Sequence, residues 1–305
     1  MAELPIPLIC ILGPTAVGKT RLAAHVAAAA NGEVVSADSR QVYRHMNIGT
    51  GKDLEDYTVD GLAVRSHLID IVDPGYEYNL YEFKRDCVAA IQEIHSRGRL
   101  PVLCGGTGLY LSAVLQGYQL LSAPPDATRR AELETTPTEQ LIAELRSHGP
   151  LHNTSDVQDR KRLIRAIEIV EADPSARAPS IELDSHTFGI RWERRDLRER
   201  ITQRLAYRLD HGLLEEVRAL LDRGLTHDQL IFYGLEYRYV TEHLRGDISR
   251  EQTFAALSAA IHQFAKRQDT WFRRMERQGV EIRWLDGRDS PKANAEKALD
   301  HVRRH

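Results

Sequence analysis

Gly13-Pro14-Thr15-Ala16-Val17-Gly18-Lys19-Thr20 is the stretch from which the rest of the chain is read. A Gly, four free positions and Gly-Lys-Thr form the phosphate-binding loop pattern, in which backbone N–H groups wrap a phosphate. Its flanks fit that reading. Leu8-Ile9-Cys10-Ile11-Leu12 is short and apolar, as a buried parallel strand is. Arg21 to Ala30 is Ala-rich and closes on Asn31-Gly32, which predicts a helix with a C-terminal stop. The helix N-terminus adds positive potential at the loop, Lys19 adds a point charge, and the Thr20 hydroxyl offers Mg²⁺ an oxygen. Strand, loop and helix therefore come in the order that a di- or triphosphate site requires.

This order predicts an α/β fold, a P-loop NTPase-like parallel sheet flanked by helices. At 305 residues the chain has room for that core and for an insertion. The net charge of −3 argues against a uniformly basic nucleic-acid binder. Arg160 to Arg208, however, holds twelve Lys/Arg against eight Asp/Glu, which leaves room for a local basic surface. No apolar run approaches the roughly 20 residues of a membrane span, and Met1-Ala2-Glu3 lacks a signal peptide's basic start. Cys10, Cys87 and Cys104 are scattered without metal-ligand spacing. A cytoplasmic monomer without a zinc site is the expectation.

Along the chain, Val34-Val35 reads as a second strand with Asp38 just past its C-terminal end, the edge where open α/β sheets bind ligands. Asp38-Ser39 reads either as part of that site or as the N-cap of a following helix. His67 to Pro74 predicts a third strand, Leu80 to Ser96 a helix, and Leu100 to Cys104 a fourth strand. Gly105-Gly106-Thr107-Gly108 is either a tight packing turn or a second set of N–H donors with the Thr107 hydroxyl at the site. Residues 1–118 and 188–305 are assigned to the core, and Gln119 to Thr187 to a helical insertion. Within the insertion, Arg162 and Arg165 share one helical face, either solvated or gripping a ligand. Phe188 to Trp192 returns as a strand, followed by a basic helix from Asp196 to Arg223 carrying Arg200, Arg204 and Arg208. A helix from Gln252 to Arg277 turns Phe254, Leu257, Ile261, Phe264, Ala265, Trp271, Phe272 and Met275 to the core, and Lys266 and Arg267 away from it. Ile282 to Leu285 is a last strand, and an exposed helix runs from Pro291.

Several of these segments in one order resemble the bacterial tRNA dimethylallyltransferases (tRNA isopentenyltransferases). They are the phosphate loop, Asp38-Ser39-Arg40-Gln41-Val42-Tyr43-Arg44, His67-Leu68-Ile69-Asp70 with Asp73-Pro74, and Gly105-Gly106-Thr107-Gly108-Leu109-Tyr110. Asp159 to Glu168 and Ala265-Lys266-Arg267-Gln268-Asp269-Thr270-Trp271-Phe272-Arg273 complete the series. The chain departs from the family at Ile231-Phe232-Tyr233-Gly234-Leu235-Glu236-Tyr237, where Ala-Ile-Gly-Tyr-Lys-Glu is usual. A second departure is Ile261-His262-Gln263-Phe264, where a basic residue is more usual.

The resemblance implies transfer of a dimethylallyl group from dimethylallyl diphosphate to N6 of adenine 37, beside the anticodon of tRNA. The product is i6A and diphosphate is released. By the same resemblance Gly13, Pro14, Thr15, Ala16, Val17, Gly18, Lys19 and Thr20 hold the diphosphate with Mg²⁺, and Arg204 or Arg200 neutralises it. Asp38 is then the general base, and Thr107 positions the site. Ser39 and Gln41 contact the flipped-out adenine, and Arg40, Arg129, Lys161, Arg162, Arg165, Lys266 and Arg267 bind the tRNA at its anticodon stem-loop. Prenylation of free AMP, ADP or ATP by an adenylate isopentenyltransferase is the near alternative, and the basic insertion helix speaks against it. A P-loop small-molecule kinase leaves the Ala265–Arg273 motif without a purpose, and a non-catalytic P-loop RNA-binding protein is the fourth alternative.

Overall fold

The computed structural model describes residues 4–123, 126–148, 159–173, 175 and 177–304. The chain divides into two compact units, Met1–Gly117 with Ile181–His305, and Tyr118–Ser180. The larger unit carries β1 (Ile6–Leu12), β2 (Gly32–Ser36), β3 (Thr58–Val59), β4 (Leu62–Ala63), β5 (Ser66–His67), β6 (Leu100–Gly105), β7 (Leu183–Arg191) and β8 (Ile282–Asp286). Six of these form one sheet in the order β5-β2-β6-β1-β7-β8, every pair parallel. The α/β expectation is borne out. β1 lies inside the sheet, with Cys10 in register with Leu103 on one side and Thr187 on the other. Both faces of a parallel sheet are covered, which is why β1 reads as a continuous apolar run.

Helices α1 (Lys19–Ala29), α2 (Leu80–Ser96) and α3 (Gly108–Leu115) follow β1, the β5 region and β6. The smaller unit holds α4 (Ala127–Thr135), α5 (Thr138–Ser147) and α6 (Arg160–Glu171) around Leu133, Leu141, Leu145, Leu163, Ile164 and Ile167. After β7 come α7 (Arg194–Asp210), α8 (Leu213–Asp222), α9 (His227–Phe232), α10 (Leu235–Leu244), α11 (Arg250–Arg277) and, after β8, α12 (Pro291–Val302). No described helix is long and apolar enough to cross a membrane.

Four elements differ from expectation. The stretch from His67 to Pro74 supplies only the two-residue β5, because Leu68 and Asp70 adopt positive φ and leave the sheet. The N–H groups of Asp70, Ile71 and Val72 then donate to Gln41 and Val42 carbonyls. The basic helix after β7 is two helices, broken at Gly212 with φ 98°. The returning strand starts at Leu183 rather than Phe188, and the smaller unit ends at Ser180 rather than Thr187. The polar Asp184-Ser185-His186 hid that first half. The last helix is not a loose exposed one: Ala295, Ala298 and Leu299 are buried in the same cluster as Leu22, Ala23 and Val26 of α1.

Candidate active site

The phosphate loop leaves the C-terminal end of β1 and enters α1 at Gly18, whose φ of 91° suits glycine. Lys19 folds back with Nζ 3.4 Å from the Pro14 carbonyl. Desolvation holds its ammonium below the ordinary lysine range, the charges of Asp38 and Asp53 opposing the shift and that of Arg204 adding to it. Thr20 lies in the first turn of α1, beside the loop.

The second Gly turn is bound into this loop. Gln268 of α11 is buried, its Oε1 accepting the Thr15 N–H at 2.9 Å and its Nε2 donating to the Gly106 carbonyl at 2.8 Å. A Cβ at Gly106 would stand 2.5 Å from that Nε2, and one at Gly108 would stand 2.3 Å from Trp271. Close approach of α11 is thus what these glycines permit. The role of Gln268 was not legible as catalysis or binding. The signal was there, however, since Leu257, Ile261, Ala265, Gln268 and Phe272 form the buried stripe of α11. Phe264, expected on that stripe, is 39% exposed.

Asp38 follows β2 beside the second Gly turn, which itself separates it from the phosphate loop, as the strand order β2-β6-β1 requires. The Ala37 N–H donates to the Cys104 carbonyl at 2.7 Å, the Thr107 N–H to the Ala37 carbonyl at 3.3 Å, and the Ser39 N–H to Thr107 Oγ1 at 3.1 Å. No helix follows, so Asp38 caps a turn: its Oδ1 accepts the Arg40 N–H at 2.9 Å. Oδ2 has no protein hydrogen bond among the described residues, which leaves one oxygen able to take a proton. Gln41 does not face an open site. It is buried, accepting from Ser36 Oγ at 3.0 Å and donating to the Gly51 carbonyl at 3.1 Å.

The arginines of α7 separate into two roles. Arg200 donates from Nε to the Ala16 carbonyl at 3.1 Å and stacks on Trp192, whose Nε1 donates to the Val17 carbonyl. Arg200 therefore props the outside of the phosphate loop. Arg204 and Arg208 both pair with Asp53, Arg208 Nη2 at 2.9 Å from Oδ1. Burial and the Arg208 charge lower the Arg204 pKa against the pull of Asp53.

Lys52, read from sequence only as loop, is fully buried. Its Nζ reaches the Tyr43 carbonyl at 2.6 Å, Asn47 Oδ1 at 2.9 Å and Asp70 Oδ1 at 2.5 Å. It ties the loop after Asp38 to the loop that left the sheet.

Two of the residues expected on RNA are committed elsewhere. Arg129 pairs with Glu132, Glu144 and Glu171. Arg165 donates to the Ala123 carbonyl and to Glu168, a buried carboxylate that Arg130 also binds. Lys161 and Arg162 are exposed on α6. In the larger unit Lys266 lines a cavity of about 790 Å³ with Arg191, Arg194, Arg198 and Arg273, which touches the phosphate loop at Pro14. Neither Lys19 nor Asp38 lines it. Arg267 lies over the exposed Phe264 ring.

Comparison with known proteins agrees with this architecture. Residues 41–275 match the family model described as IPP transferase, and residues 6–68 match one described as isopentenyl transferase. The chain is 54% identical over 288 residues to tRNA dimethylallyltransferase 2 of Syntrophotalea carbinolica, covering 93% of this chain and 95% of that protein. It is 52% identical over 296 residues to tRNA dimethylallyltransferase 1 of Geotalea daltonii, covering 96% and 95%. Among solved structures it is similar to the tRNA isopentenylpyrophosphate transferase of Bacillus halodurans, with TM-score 0.71, 34% identity and coverage of 98% and 96%. The chain belongs to the IPP transferase family, that of the tRNA dimethylallyltransferases.

Proposed function

We propose that the chain transfers a dimethylallyl group from dimethylallyl diphosphate to N6 of the adenine beside the anticodon of tRNA, with Asp38 as general base. The observation that carries this reading is the second Gly turn, tied to the phosphate loop through Gln268 and to the Asp38 segment through Thr107, so that a carboxylate with one open oxygen stands near an anion cradle. Adenine N6 is a weak nucleophile because its lone pair is delocalised into the ring. The C1–O bond of the donor breaks as the N6–C1 bond forms. The bonding pair leaves with diphosphate, and the N6 proton passes to Asp38. Thr107 fixes the backbone of the next residue, so the carboxylate is aimed before substrate arrives. Lys19 and the loop N–H groups receive the charge that develops on the leaving group. Arg204 leaves Asp53 to reach the same oxygens, while Arg200 keeps the loop in shape.

The residues fit Mg²⁺. Thr20 offers one hydroxyl, and no group of three His, Cys, Asp or Glu among the described residues makes a protein cage. That donor set suits an ion held mainly by substrate phosphates and water. When bound, Mg²⁺ neutralises part of the diphosphate charge. On the RNA side, Lys161 and Arg162 supply phosphate contacts from the smaller unit, and Lys266 from the larger.

The test offers labelled dimethylallyl diphosphate with an unmodified anticodon stem-loop and with AMP, side by side, and labelled ATP in parallel. Prenyl transfer to the stem-loop, faster than to AMP, is expected. Faster transfer to AMP, or phosphorylation from ATP, overturns the reading.

A further inference from the structure

Phe232 ends α9 and is 58% exposed, although the residues around it are tightly held. Tyr233, next in the chain, is buried, edge-on to Phe232 at 5.7 Å and to Tyr43 at 4.8 Å, and its hydroxyl accepts the Gly75 N–H. The phenyl ring therefore projects from an anchored backbone. Part of one side is covered by the Arg40 guanidinium, 5.4 Å from the ring centre. Among the described residues no carboxylate pairs with that guanidinium. The Arg40 N–H, in turn, is the group that binds Asp38 Oδ1. A flat apolar ring with an unneutralised planar cation thus adjoins the residue assigned as general base.

We propose that Phe232 and Arg40 form a stacking subsite for an unpaired nucleobase flanking the target adenine in the RNA loop. This rests on the reading of Asp38 as the point where adenine N6 is bound. Extruding one base from a loop exposes the faces of its neighbours, and an aromatic ring or an arginine plane replaces the lost stacking. Any base offers such a face, so the contact is tolerant of sequence. The guanidinium adds a cation–π contact and keeps donors for the adjoining phosphate. The ring lies in the Ile231–Tyr237 segment, where the sequence departs from the usual family pattern.

The test measures prenyl transfer to an anticodon stem-loop and to two further loops, each abasic at one neighbour of the target adenine. Losing one stacked base corresponds to on the order of five- to 150-fold in affinity. Phe232→Ala is expected to raise KM for the intact loop on the order of tenfold, with kcat and the KM for dimethylallyl diphosphate within about twofold. Phe232→Trp should restore it. One of the abasic loops should cost the wild type the same factor and cost Phe232→Ala nothing further. Equal KM for wild type and Phe232→Ala, or equal losses on both abasic loops in both proteins, overturns the proposal. Should Phe232→Ala unfold, Phe232→Leu keeps the apolar bulk without the flat ring, and wild-type KM in that variant overturns it too. Failure of the wild type on the intact loop would instead defeat the reading of the reaction itself.

Discussion

Replacing Gln268 by Leu tests whether the phosphate loop is shaped by α11 or by its own sequence. The side chain is buried and makes two bonds of normal length, to the Thr15 N–H and the Gly106 carbonyl. Leucine matches much of its volume but makes neither bond. A buried acceptor left unpaired costs about 1–3 kcal/mol, and the part-exposed Thr15 bond adds about 1 kcal/mol. Because both groups belong to the two Gly loops proposed to form the anion cradle, a large share of this energy should appear as lost preorganisation. We expect diphosphate affinity to fall about ten- to a hundredfold, the equivalent of about 1.4–2.8 kcal/mol. Gln268→Ala should lose less, since the space freed can admit a water that bridges the same two groups. The measurement is calorimetric titration with inorganic diphosphate at fixed Mg²⁺, with thermal unfolding of each variant as a control. A Leu variant that binds within twofold of wild type would refute the reasoning, and the loop would then hold its shape unaided.

Asp38→Asn should lower kcat by about a hundredfold or more in single-turnover transfer while RNA affinity stays within a few-fold; a tenth of wild-type rate would reduce Asp38 to a turn cap. Diphosphate binding, followed calorimetrically against pH, should be lost as pH rises through the lowered Lys19 pKa, at a pH below the ordinary lysine range, and Lys19→Arg should remove that alkaline limb. Burial pushes the Glu33 pKa up, but the His67 bond and Arg97 outweigh it and hold it lowered. Its stabilisation is therefore present above the ordinary glutamate pKa of about 4.3 and lost as pH falls through the folded value, so Glu33→Gln should flatten the acid limb of an unfolding curve. Lys161→Ala with Arg162→Ala should reduce the salt slope of stem-loop binding by about one to two units, whereas Arg165→Ala should instead lower the smaller unit's stability in urea unfolding.

What the sequence made legible was whatever depends on local pattern. The strand before Gly13, the helix after Lys19 and the helix from Leu80 to Ser96 follow from apolar periodicity and stop signals that need no distant partner. His67–Pro74 failed because a largely apolar run closed by Pro looks like a strand, while the backbone bonds of Asp70, Ile71 and Val72 go to Gln41 and Val42. The α7–α8 break depended on a single glycine in a charged run. For the site, the residue types near Asp38 and Lys19 were legible. The partners that Gln41, Arg129 and Arg165 meet were not, because an arginine on a helix face reads the same whether a carboxylate or a phosphate awaits it. Buried Lys52 and Gln268 were missed for a related reason: polar residues are assigned to the surface until three-dimensional neighbours show otherwise.

An ammonium has three N–H donors, and Lys52 uses them on three separate pieces of chain: the Tyr43 carbonyl, the Asn47 side chain and the Asp70 carboxylate. No one piece can swing away without leaving a desolvated charge short of a partner, so the stretch from Asp38 to Asp70 should open as one cooperative body. Amide hydrogen exchange would read this directly. The N–H groups of Arg44, Lys52, Asp70, Ile71 and Val72 would share one opening free energy, and Lys52→Met would split it into several. The Asp38 carboxylate, at the end of such a body, keeps its aim through thermal motion, at the cost that any opening large enough to admit solvent at Asp70 loosens Asp38 as well.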